Sequence, residues 1–190
     1  MYLVKAPFRL MLAVLTWGAC GVLVTAAQAQ GPHRFGETIG LIPDASLVVT
    51  RTDVAQLRAR YPAEFPASLQ NIVAFEFHTA GNGKTIYAYS IDRADPARSD
   101  VVATCDTTRL NILRMGSGTS ENTRDYQFGA PTVSVTRGKS RVRGVFGSLQ
   151  TILAFALPPW CNAQRVRLSV VLEVSDGRAS YAIPLVFAEH

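Results

Sequence analysis

Two cysteines and a basic strip are the residues best placed to do chemistry. The stretch VVATCDTTRLNILR, residues 101–114, ends an apolar run with Cys105 and carries Arg109 and Arg114 in the run that follows. Cys161 lies 56 positions beyond Cys105. In an oxidising compartment such a pair is most simply one disulfide. Closing a loop of that length is worth about 4 kcal/mol by chain entropy. The strip is VTRGKSRVRGVF, residues 135–146, with Arg137, Lys139, Arg141 and Arg143 at every second position. A turn at Arg137-Gly138-Lys139 would set Val135 opposite Arg141 and Val133 opposite Arg143. Charges there protect an edge strand from pairing with other chains. They also suit an anionic partner: a cell-surface glycan, a lipid head group or an acidic protein.

The cysteine stretch resembles the cysteine–arginine arrangement of sortases. That resemblance implies a Cys105 thiolate attacking a peptide carbonyl, His78 as acid or base, and Arg109 or Arg114 on the oxyanion. It makes a cysteine-dependent hydrolase or transpeptidase the alternative to a disulfide-bonded binding protein. Other chemistry has less support. His33, His78 and His190 show no i,i+4 ligand spacing, so neither a metal nor a cofactor is expected. GSGTS does not form a G-x-S-x-G elbow, and no glycine-rich phosphate loop precedes a helix. Asp92, Asp95 and Asp100 in IDRADPARSD lack calcium-loop spacing and read as a solvated connection.

The first residues supply the compartment. Lys5 and Arg9 precede an uncharged apolar stretch, and Ala27-Gln28-Ala29 offers a small-x-small cleavage pattern. Residues 1–29 therefore read as a signal peptide, with cleavage before Gln30. The rival readings are an uncleaved membrane anchor and a lipoprotein modified at Cys20, and both give the same export. Removing Lys5 and Arg9 from the 19 basic residues leaves 17 against 14 acidic ones. So mild an excess does not call for a nucleic-acid partner. Residues 30–190 have the size of one domain. The remaining sequence carries no N-x-S/T site, which favours a bacterial periplasmic or secreted protein.

Strand patterns must position these residues. In QRVRLSVVLEVSDGRASYAIPLVF the pair Asp176-Gly177 suits a two-residue hairpin loop. Setting Ser175 opposite Arg178 then pairs Leu172 with Tyr181, Val170 with Ile183, Leu168 with Leu185 and Val166 with Phe187. Pro184 marks an edge strand or bulge. A second hairpin is expected around AGNGK, pairing Phe77 with Tyr87, Phe75 with Tyr89 and Val73 with Ile91. Residues 46–50, 100–105, 109–115, 131–136 and 149–157 read as further strands, the last also compatible with a short helix. TDVAQLRARYP predicts a helix near residues 53–61, capped by Thr52, with Val54, Leu57 and Tyr61 on one face. GSGTSENTRD, residues 116–125, reads as a loop or mobile tip.

These patterns predict an all-β protein, an antiparallel β-sandwich with one short helix. Two cysteines so spaced resemble those of an immunoglobulin-type sandwich in architecture. The expected function is a non-enzymatic binding or structural protein of the cell envelope, a subunit, an inhibitor or an immunity protein. Its partner is expected to be a protein or an anionic envelope component, with no nucleic acid and no membrane after signal cleavage.

Overall fold

The structure, a computed structural model, describes residues 31–81, 84–92, 98–120, 123–128, 141–146 and 150–189. Twelve strands are placed: β1 (Thr38–Ile42), β2 (Ala45–Thr52), β3 (Ile72–Ala80), β4 (Ile86–Asp92), β5 (Val101–Cys105), β6 (Thr108–Arg109), β7 (Ile112–Ser120), β8 (Thr123–Phe128), β9 (Arg141–Phe146), β10 (Gln150–Ala156), β11 (Val166–Ser175) and β12 (Ser180–Phe187). A helix α1 (Val54–Arg60) separates β2 from β3, and a 3-10 turn (Ala163–Arg165) precedes β11. The first sheet runs β1-β2-β3-β10-β7-β8. The second runs β6-β5-β11-β4-β9, with β12 also on β11. All pairings between these strands are antiparallel. The protein is an all-β sandwich with one short helix.

Alternation explains the sandwich. Along β11, Val166, Leu168, Val170, Leu172 and Val174 are buried while Arg167, Ser169 and Val171 are exposed. Along β2, Leu47 and Val49 are fully buried. Such period-two strands turn one face inward. Phe75, Leu153 and Phe155 of the first sheet meet Tyr87, Ile91, Leu168 and Phe187 of the second in one core. Phe35 stacks on Phe75 at 5.0 Å and on Phe187 at 5.9 Å, spanning the two sheets.

A smaller core lies on the outer side of the first sheet. Leu57 of α1 and Phe65 pack over Ile72, Ala74, Ile152, Ala154 and Tyr126. Val54 and Tyr61 join them, so the expected helix face is the buried one. Asp53, not Thr52, is the cap: its carboxylate accepts the Ala55 N–H at 2.8 Å.

Four local expectations are corrected. β3 and β4 are not hairpin partners, because β3 pairs with β2 and β10 in one sheet and β4 with β11 and β9 in the other. Their aromatic rows face each other across the core instead, and an apolar match cannot tell these arrangements apart. The β11–β12 turn is longer than two residues: Ser175 pairs with Ser180, Leu172 with Ile183 and Leu168 with Phe187. The Asp176 carboxylate causes this, accepting the N–H groups of Arg178 and Ala179 at 2.8 and 2.9 Å. A two-residue shift keeps every side chain on its face, so Leu185 and Phe187 are buried and Ile183 half-buried as expected, but Tyr181, now beside the turn, is exposed. Residues 109–115 are not one strand, since β6 ends at Arg109 and β7, in the other sheet, begins at Ile112. Residues 116–120 and 123–125 are strand, not loop. Gly116 and Gly118 belong to β7 because a Cβ there would come within 2.8 Å of Phe128 and Gln150.

Within the expected 149–157 stretch Gln150–Ala156 form strand β10, and β12 carries Pro184 with β11 on one side only. The other edge of β12 meets the chain at His33, whose N–H donates to Val186 O at 2.7 Å. The expected strand 131–136 lies outside the described residues.

Burial lifts the Tyr89 phenol to about 12, against the opposing effect of its hydrogen bond to Thr151. The folded protein therefore holds this proton more tightly than the unfolded chain, whose tyrosine titrates near 10. Its contribution to stability is complete below pH 10 and falls as pH rises towards 12, by at most about 1.4 kcal/mol per unit. Denaturant titrations of Tyr89→Phe across this window should show a shallower loss than the native protein. Equal slopes would show that Tyr89 does not contribute to alkaline unfolding.

Candidate functional site

The site begins where β4 leaves β11. Residues 168–175 of β11 pair with β12, so β12 occupies one whole edge. On the other edge β5 pairs with residues 166–170 and β4 with residues 173–175. Both strands thus share one edge of β11, end to end. The exchange point is closed by Asp100, whose carboxylate accepts the Ser90 N–H at 2.6 Å. The Asp100 N–H donates to Ser90 O, and Asp100 O accepts from Val171 N–H, each at 2.7 Å. The Ser99 hydroxyl accepts the Asp92 N–H at 2.8 Å, tying the base of the excursion between the strands. Asp92 is buried. These two aspartates are structural rather than part of a solvated connection, and Asp95 lies outside the described residues.

This exchange places the basic residues. β9 pairs with the far side of β4, with Arg143 opposite Ser90 and Arg141 opposite Asp92. β6 pairs with the far side of β5, with Arg109 opposite Thr104. The two strands therefore follow the same side of the second sheet. Arg141 and Arg143 open β9, the last strand in the described order on that side. Arg137 and Lys139 lie outside the described residues.

The cysteine set divides between two places. Cys105 is fully buried at the end of β5, and its sulfur is bonded to that of Cys161. Cys161 stands in no strand; its N–H donates to Pro158 O at 2.9 Å in the connection from β10 to β11. Arg165 and Asp106 form an ion pair across the same two segments. The bridge therefore fastens a crossover to a strand end, beside the Cys105–Val166 ladder pair. It does not join strands of opposite sheets.

His78 is on the outer side of the first sheet, 3.7 Å from Glu76. Glu76 also accepts the hydroxyl of Tyr126, whose pKa is raised by burial and then by the neighbouring carboxylate. Arg114 is held by Glu64, its Nε donating to Glu64 O at 3.1 Å. Cys105 is thus on the second sheet while His78 and Arg114 are on the first, and the three do not converge. Among the described residues no group of three metal-ligating side chains occurs, and no helix is long and apolar enough to cross a membrane.

No family, curated protein or solved structure matches this chain. Its chemistry must be argued from its own residues.

Two features escaped sequence reasoning. Arg109 stood as an oxyanion candidate, yet it shares a side of the second sheet with the basic strip. Only the strand exchange on β11 brings them together, and no local pattern announces that. The Glu76–Tyr126 pair was hidden because Tyr126 adjoins a glycine-containing stretch that reads as loop.

Cys105→Ala and Cys161→Ala should each cost a few kcal/mol in denaturant unfolding without reductant. The double variant should be no less stable than the poorer single one by more than about 0.5 kcal/mol, because all three lack the same bond. Fully additive losses would contradict a shared bond.

Proposed function

We propose that the chain is an exported, non-enzymatic binding protein of the bacterial cell envelope that engages an anionic partner along a basic sheet edge. The observation that carries this reading is β9. Arg141 and Arg143 alternate with Val142 at its start, on the outermost described strand of that side. The sequence continues the alternation backwards through Lys139 and Arg137. Alternate residues of an extended strand stand about 7 Å apart on one face, which sets Arg141 and Arg143 side by side. Such a row attracts an anionic surface and orients it. The disulfide and the leader-like first 29 residues support export into an oxidising compartment. The partner class is a protein or an anionic component of the envelope.

The reading requires these charges to face water, so replacing Arg137, Lys139, Arg141 and Arg143 together by glutamine should leave the fold intact. Binding to isolated envelope material should fall, and binding of the native protein should weaken as salt is raised. Unchanged, salt-insensitive binding would refute the basic-edge reading.

A further inference from the structure

The two sheets differ in what lies on their outer sides. α1 and Phe65 cover the first. On the outer side of the second, Ala88 and Ser90 of β4 are buried, but the part formed by β5, β11 and β12 has no such cover among the described residues. Val171 and Val186 are 42% and 40% exposed there, beside the exposed Pro184. The register sets them together: Val171 opposite Pro184, Ser169 opposite both Val186 and Val102. One ladder step away, Thr104 lies between Arg167 and Arg109 on the same face. Both arginines are exposed, and neither has a hydrogen-bond or ion-pair partner among the described residues. Glu173, partly buried, is the acidic residue of β11 on this face. The surface therefore combines an apolar centre with a cationic margin.

Each property narrows the occupant. A highly charged polymer would satisfy the arginines but leave the valines and Pro184 in water. A contiguous apolar patch rimmed by polar groups favours a protein interface. A second copy would bring Arg109 and Arg167 into an interface already holding the same two cations, which opposes self-association. The complement is an apolar surface bordered by carboxylates.

We infer that the outward face of the second sheet docks an acidic protein, with Val102, Val171, Pro184 and Val186 as the apolar contact and Arg109 and Arg167 as donors to its carboxylates. This rests on the basic-edge reading and extends it from a strip to a face. β9, which carries Arg141 and Arg143, follows the same side of the sheet as β6, which carries Arg109.

The test uses the processed chain and a synthetic amphipathic helix with a leucine face bordered by glutamates. Dextran sulfate, phosphatidylglycerol vesicles and the protein's own association state serve as comparisons. Amide resonances of β11 and β12 should shift with the peptide. Val171→Ser with Val186→Ser should weaken peptide binding about tenfold while leaving dextran sulfate binding unchanged. Arg109→Gln with Arg167→Gln should weaken both. The inference is overturned if the serine variant binds the peptide normally, if vesicles bind in preference to the peptide, or if the face forms a dimer. It is also overturned if Val171→Ser strongly destabilises the free protein, because the face would then already be covered. Loss of envelope binding in the glutamine quadruple variant, with both face variants unaffected, would remove the face and keep the basic-edge reading. No effect from any variant would remove both.

Discussion

The Asp100 carboxylate on the Ser90 N–H is the contact on which the second sheet depends. β11 is the long central strand, and its free edge must be satisfied over its whole length. No single strand does this. β4 supplies one half and then turns away to β9; β5 supplies the other half and carries β6. The exchange works only if the backbone groups at the junction find partners, and Asp100 provides them through its side chain, its N–H and its carbonyl. A charge-assisted bond of this kind is stronger than a neutral one. It fixes two consequences at once: the core below is continuous, and β6 and β9 follow one side.

The disulfide acts at the other end of the same strand. Cys105 closes β5, and Cys161 belongs to the crossover that delivers β11 beside it. The bond therefore restrains the start of β11 while Asp100 secures its middle. Neither device covers Val171, Pro184 and Val186, which are exposed on the outer side of β11 and β12.

Much of this fold was legible because burial has a period. The β11 sequence names its inward residues correctly, and β12 does so for Ile183, Leu185 and Phe187 but not for the exposed Tyr181, even though the pairing lies two residues away from the expected register. That error came from one side chain, Asp176, whose local hydrogen bonds lengthen the turn. The β3–β4 error has a different origin. Phe75, Phe77, Tyr87 and Tyr89 are apolar in step whether they pair side by side or face each other across a core, and sequence alone does not distinguish the two. The glycines of β7 misled in a third way, since they accommodate Phe128 and Gln150 rather than bend the chain. Of the candidate site, the cysteine pair followed from compartment and parity. The association of Arg109 and Arg167 with the β9 arginines depends on which edge of β11 each strand occupies, a non-local fact that no spacing encodes.

Cross-strand nuclear Overhauser contacts in the folded protein test the strand exchange most directly. The account predicts contacts from β11 to both neighbours on one edge, Leu168 to Ala103 and Val174 to Tyr87, with no backbone contact between Phe77 and Tyr87. A β3–β4 hairpin ladder, or β5 found on a different edge of β11 from β4, would separate Arg109 from the β9 arginines and contradict it.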